Sequence, residues 1–224
     1  MRENEDSEEF EKTRDTLTRA ANAVQKGGYV AVRPVILAND PILRKKSKKV
    51  QHFGEALQVL INDMVESMQA ANGMGLAAPQ VGVQERVIVV QLPEDEEDPQ
   101  SGKLFALCNP QIVRAHGEEE GEEGCLCVPG YVGDVKRATW VTVKAQDRRG
   151  RKVRIKAEGL LARAFQHEID HLDGILFIDR VESPDKIRRI VPLEEVEREA
   201  VKTKVPLQKA ESFKVQVLDN LGKV

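Results

Sequence analysis

The sequence predicts an α+β fold, with antiparallel sheets packed around a central helix that carries a His-Glu-x-x-His metal motif. Three observations point there. An amphipathic helical stretch precedes a run of strand-like stretches. A second helix follows that run and does not alternate with it. No internal repeat or βαβ alternation interrupts the order. With 224 residues, the chain has ample length for one domain with tails.

Taken in order, residues 1–28 read as a polar helical extension ending at Gly27-Gly28, with a weak apolar stripe of Leu17, Ala20, Ala21 and Val24. The globular body is expected over residues 29–181. It opens where Val30, Val32, Val35 and Ile36 bring the first dense apolar residues. Asp40-Pro41 marks a turn, and a basic stretch runs from Arg44 to Lys49. The spacing of Leu57, Leu60, Ile61, Met64, Val65 and Met68 predicts a helix over 55–71, closed by Asn72-Gly73. Strands are predicted at 86–92, 104–108, 111–115, 139–145 and 152–157, punctuated by an acidic loop, Asn109-Pro110 and Arg149-Gly150. A helix over 160–174 follows, with Leu160, Leu161, Ala164, Phe165 and Leu172 at helical spacing and Gly174 placed to end it. Residues 182–224 are expected to form a tail, with a helix around 193–202 and a short strand at 213–218.

Composition narrows the class. Apolar and charged fractions are those of a soluble globular protein, and no stretch reaches the length of an apolar membrane span. The acidic start lacks the apolar core of a secretory signal and the basic character of a transit peptide. Three cysteines, an odd number, argue against a disulfide framework and for a reducing compartment, so a cytoplasmic protein is expected. The net charge of −3 is unevenly spread. Residues 94–98 and 118–123 are acidic, whereas 136–163 are strongly basic, and such runs usually form solvated loops or faces.

Three stretches carry chemistry. His167 and His171 are four residues apart, so a helix presents both imidazoles on one face, where they can share a metal ion. Glu168, next to the first of them, is placed to take a proton from an activated water. In Glu123-Gly124-Cys125-Leu126-Cys127, a thiolate would complete a three-ligand set with an open position, the catalytic arrangement and not the closed structural one. Cys125 and Cys127 both qualify, since i and i+2 share a face of a strand. In Gly73-Met74-Gly75-Leu76-Ala77-Ala78-Pro79-Gln80, small residues allow close backbone approach, and Gln80 offers a neutral donor suited to an oxyanion.

In this order the stretches Gly73–Gln80, Glu123–Cys127 and Gln166–Gly174 resemble the motifs of the peptide deformylases, Gly-x-Gly-x-Ala-Ala-x-Gln, Glu-Gly-Cys-Leu-Ser and Gln-His-Glu-x-Asp-His-Leu-x-Gly. The similarity extends over about residues 30–180, through Arg33-Pro34-Val35, Asp40–Arg44, Asn109-Pro110 and Gly174–Phe177. One position departs: Cys127 stands where the family has serine. Because that family residue is not a ligand, the resemblance assigns the metal thiolate to Cys125. The change bears on local hydrogen bonding and on oxidation.

The resemblance implies an enzyme that hydrolyses the N-formyl group from the initiator methionine of nascent polypeptides. Cys125, His167 and His171 would hold one divalent metal, Fe(II) in the cell and Zn(II) or Ni(II) in a purified sample. Glu168 would serve as base, and the Gln80 amide and the Leu126 N–H would receive the oxyanion. Glu123, Asp170 and Arg137 would orient ligands from behind, with Glu123 and Arg137 as a possible pair. Met74, Leu160, Ala164 and the Gly124 backbone are assigned to the methionine pocket, and Gly75 with Leu76 to the substrate backbone, as an added strand. Arg163 is expected at the pocket mouth, facing solvent or the substrate beyond methionine. The implied partners are N-formylmethionyl peptides and, transiently, the ribosome, with no DNA and no membrane. Two rival readings are a metalloprotease of the His-Glu-x-x-His type and a ribosome-associated, metal-stabilised binding module.

Overall fold

The computed structural model describes residues 31–190. The helices expected in 1–28 and 193–202 and the strand expected at 213–218 lie outside the described residues. Helix α1 (Glu55–Ala70) forms where apolar spacing predicts it, and Leu57, Leu60, Ile61, Met64 and Met68 make its buried stripe. Two polar side chains on the same helix, Asp63 and Ser67, are also buried. They anchor the incoming chain: Asp63 accepts from the Ala31 N–H (2.9 Å) and the Arg33 guanidinium (2.9 Å), and Ser67 Oγ from the Arg33 N–H (2.7 Å).

Five antiparallel strands form the first sheet in the order β1-β2-β3-β6-β7, comprising β1 (Gly75–Ala77), β2 (Val87–Gln91), β3 (Leu104–His116), β6 (Trp140–Gln146) and β7 (Lys152–Glu158). Helix α2 (Gly159–Leu172) carries the motif and packs against β1, β2, β6 and β7. The two helices sandwich the sheet, and β2 shows how. Ile88 and Val90 pack with Leu161, Phe165 and Ile169 of α2, while Val87 and Val89 pack with Ile61 and Met64 of α1. A strand covered on both faces reads as an unbroken apolar run, as Val87–Val90 does. Among the described residues no helix is long and apolar enough to cross a membrane.

The second sheet has the order β4-β5-β8, comprising β4 (Glu119–Cys125), β5 (Val128–Arg137) and β8 (Ile187–Arg189). The sequence predicted none of these strands. β4 reads Glu-Glu-Gly-Glu-Glu-Gly-Cys, a composition with little strand propensity. Its extended form comes from the ladder to β5, in which Glu120 faces Lys136 and Glu119 faces Arg137. β8 pairs with β5 from within the stretch expected as tail. The two strands expected at 104–108 and 111–115 are one strand, β3. Pro110 is accommodated because Asn109 takes a positive φ of 52° and the register with β6 shifts between Cys108 and Gln111. The stretch from Gly73 to Gly82 also contains more than a connection: strand β1, then a short 3-10 turn over Ala78–Val81. Gly174, at φ +77°, ends α2, and a Cβ there would lie 2.6 Å from the Arg44 carbonyl oxygen.

Candidate metal centre

The site lies where the two sheets meet over the buried face of α2. His167 and His171 project from one side of that helix with ring centroids 5.0 Å apart. Cys125 ends β4 and reaches the same point, its Sγ 3.2 Å from His171 Nε2. The ligand atoms of these three residues lie within 4.8 Å of one another. Ligand bonds of about 2.0–2.3 Å place two donors on one ion at most about 4.5 Å apart, so this cluster fits a shared metal with little adjustment. Its donor set, one thiolate and two imidazoles, suits a borderline divalent ion. Of the two cysteines, Cys125 stands on the cavity wall, while Cys127 lies behind it, buried with Leu43 and Leu176.

Carboxylates and arginines brace this cluster from behind. Glu123 Oε2 accepts from His167 Nδ1 (2.9 Å), which leaves Nε2 for the metal. The same carboxylate receives Arg137 through two bonds of 2.8 and 2.9 Å, and Arg163 at 2.9 Å. Burial pushes the Glu123 carboxyl up, but the hydrogen bonds from Arg137 and His167 outweigh it and hold it down at about 2. Arg137 also donates to Asp170 (2.5 Å), and Asp170 is bound from its other side by Arg180 (2.7 and 3.0 Å).

On the reaction side, Gln80 is almost fully buried, and its orientation is set: Oε1 accepts from the Ala77 N–H (2.7 Å), so Nε2 points at Cys125 Sγ (3.5 Å). Glu168 is buried, and among the described residues its Oε2 has no hydrogen-bond partner. Burial pushes its carboxyl up to about 7, against the pull of His167 and His171. That is the range a general base needs near neutral pH. The thiol of Cys125 is held well below its ordinary value by a hydrogen bond from Cys127, with further help from His167 and His171 and against burial.

These groups line one cavity of about 430 Å³. Met74, Gly75, Gly124, Leu126, Leu160 and Ala164 stand on its walls beside Gln80, Cys125, His167 and Glu168. The residues expected at the site from sequence are brought to the cavity or to the ion network behind it, except Leu76, which is fully buried in the core under α1. Arg163 stands on the cavity wall as expected, but its guanidinium faces neither solvent nor substrate. Its side chain is only 13% exposed and turns inward, donating to Glu123 and to the carbonyls of Gly121, Val135 and Glu119. The signal was present, since Arg163 stands one helical turn before His167 and so shares its face. Arg180, and the rim residues Tyr131 and Ile190, were missed because no periodic element or motif contains them.

Comparison with known proteins gives a consistent picture. The family model described as polypeptide deformylase matches residues 32–187. A peptide deformylase of Thermomicrobium roseum is 50% identical over 174 residues, covering 76% of this chain and 98% of that one. One from Dehalococcoides mccartyi is 45% identical over 170 residues, with the same coverage. Among solved structures, a peptide deformylase from Legionella pneumophila matches with a TM-score of 0.63 at 42% identity, covering 83% of this chain and 97% of that chain. A Met-Ala-Ser-bound class I type b peptide deformylase from Acinetobacter baumannii matches with a TM-score of 0.64 at 36% identity, covering 68% and 100%.

Proposed function

The chain belongs to the peptide deformylase family, metal-dependent hydrolases that remove the N-formyl group from nascent peptides, and from that premise we propose how its residues perform the reaction. The observation that carries the proposal is the convergence of Cys125, His167 and His171 on one point of a cavity whose wall also holds the unpartnered carboxylate of Glu168. Cys125, His167 and His171 would hold the metal. When bound, it supplies Lewis acidity, lowering the pKa of water and polarising the formyl carbonyl.

Glu168 takes one proton of the attacking water and later returns it to the departing amine, and the water's other proton follows to the same nitrogen, so formate and a protonated methionyl N-terminus leave and the protons balance. The Gln80 amide and the Leu126 backbone N–H donate to the oxygen that gains charge, each such donor lowering the barrier by about 3 kcal/mol. The cavity is apolar on the side of Met74, Leu160 and Ala164, which suits a methionine side chain. The Met-Ala-Ser peptide bound in the Acinetobacter relative agrees with a methionyl product in this cavity. Gly75 would meet the peptide backbone along β1, the edge strand of the first sheet, whereas Leu76 is fully buried in the core under α1 and would not.

The finer assignments belong to the same reading. Fe(II) is the proposed native metal, with Zn(II) or Ni(II) able to replace it in the same donor set. The catalytic body is proposed to be residues 29–181, with extensions before and after it, and the place of action is proposed to be the cytoplasm. Contact with the ribosome is supported by a cationic sheet face. Lys152, Arg154 and Lys156 alternate along the exposed positions of β7, Lys144 stands opposite Arg154, and Arg114 opposite Thr142. Among the described residues none of these five enters an ion pair, so their charge is available to a phosphate backbone.

The deciding test is formate release from a short N-formyl-methionyl peptide by the metal-loaded chain. With Glu168→Ala, turnover is expected to fall by a factor of about 10²–10⁴ while bound metal, measured by elemental analysis, stays at the wild-type level. Turnover that persists in this variant would remove Glu168 from the role of base.

A further inference from the structure

Among the described residues, Cys127 is the one buried nucleophile beside the site that the reaction does not use. Its Sγ lies 2.9 Å from Cys125 Sγ, and its N–H points at the same sulfur (3.5 Å). The two residues flank Leu126 in the turn between β4 and β5, where the strand register shifts at Gly124/Cys125. Access is unequal. Cys125 stands on the cavity wall, whereas Cys127 is 1% exposed and sits in the small apolar cluster behind it. A small oxidant entering the cavity therefore meets Cys125 first and finds Cys127 already in contact.

We propose that Cys127 is a resolving thiol for Cys125, so that oxidation by hydrogen peroxide closes a Cys125–Cys127 disulfide that disassembles the metal site reversibly. The inference rests on Cys125 being the metal thiolate. In the first step the Cys125 thiolate attacks one oxygen of peroxide. The S–O bond forms, the O–O bond breaks, hydroxide departs, and Cys125 becomes a sulfenic acid. In the second step the Cys127 sulfur attacks the Cys125 sulfur. The S–S bond forms, the S–O bond breaks, and water leaves carrying the Cys127 proton. Two thiols have then given two electrons to one peroxide. The site has lost its thiolate and retains two imidazoles, too few to hold the ion. A dithiol reductant reverses the change. With serine at position 127 the sulfenic acid has no neighbouring thiol, and further oxidation to the sulfinic acid is irreversible. Cys108 is a bystander, buried in the separate core cluster under α1 with its thiol pushed up to about 12 by burial.

The test treats the full chain with hydrogen peroxide in two forms, zinc-loaded and stripped by chelator, and reads intact mass, peptide maps and released zinc. Both forms of the wild-type chain are expected to lose about 2 Da, with one Cys125–Cys127 linked peptide and Cys108 still alkylatable. Dithiothreitol is expected to restore both the mass and the capacity to bind zinc. The variants Cys127→Ser and Cys127→Ala are expected to gain about 32 Da on Cys125 instead, with no recovery under dithiothreitol. A wild-type chain that gains the same mass on Cys125 while Cys127 remains alkylatable would overturn the proposal, as would full recovery in the two variants. Zinc should leave in step with disulfide formation. A disulfide that forms while zinc stays bound would remove Cys125 from the metal set and leave the thiol pairing standing.

Discussion

Glu168 Oε1 occupies the space beside Gly75, where an added Cβ would lie only 2.3 Å away and 2.9 Å from Glu168 Cγ. The side chain can yield only by swinging into the cavity it lines, away from its present position. Gly75→Ala is therefore expected to displace the base by a fraction of an ångström to an ångström. A misplacement of that size costs about 100-fold in kcat. Formate-release kinetics should show that loss while bound metal stays constant, because Cys125, His167 and His171 do not touch residue 75. At this scale the Cys-His-His cluster was legible in the sequence and the constraint on Gly75 was not. His167, Glu168 and His171 follow from one helical period, whereas Cys125 and Cys127 looked alike from their spacing and the family resemblance separated them. The glycine at 75 was read as room for the substrate, because nothing in its neighbours shows that Glu168, far along the chain, needs the same space.

Between elements, the decisive connector is Arg137 at the end of β5. It spans from Glu123 on β4 to Asp170 on α2, and the three side chains are nearly inaccessible to solvent. Arg137→Ala leaves two buried carboxylates short of a counter-charge, which typically costs about 3–5 kcal/mol. Urea unfolding should register that loss. Metal affinity is expected to fall about 10–100-fold with it, since Glu123 then holds His167 less firmly. The elements themselves were legible to different degrees for one physical reason. Helices α1 and α2 and strands β2, β6 and β7 bury an apolar pattern, and pattern is what a sequence displays. Strand β4 buries charge against charge, Glu123 with Arg137 and Arg163, so its acidic run reads as a solvated loop until its partners are in place.

For the molecule as a whole, the described body carries its own core and its own site, so a chain beginning at residue 29 is expected to release formate at the rate of the full chain. A large loss of turnover in that truncation would show that residues 1–28 contribute to the site or to folding. Replacing Lys152, Arg154 and Lys156 by glutamate should leave that turnover intact, because β7 is the far edge of the first sheet from β1. Ribosome co-sedimentation should weaken, and its dependence on log salt should become shallower by about one unit for each lost phosphate contact. The α+β layering was legible from the order of the periodic stretches, whereas the division into two sheets was not, since it depends on which strands pair and not on where they lie along the chain. One further consequence follows from Glu123. A single carboxylate ties two arginines of the framework and also aims a metal ligand, so a variant that loses its hold on the framework also misaims the ligand. Formate output in a library of variants would then double as a reporter of whether the second sheet is properly assembled. Laboratory selection for catalysis on this scaffold would screen out its misfolded members without a separate assay.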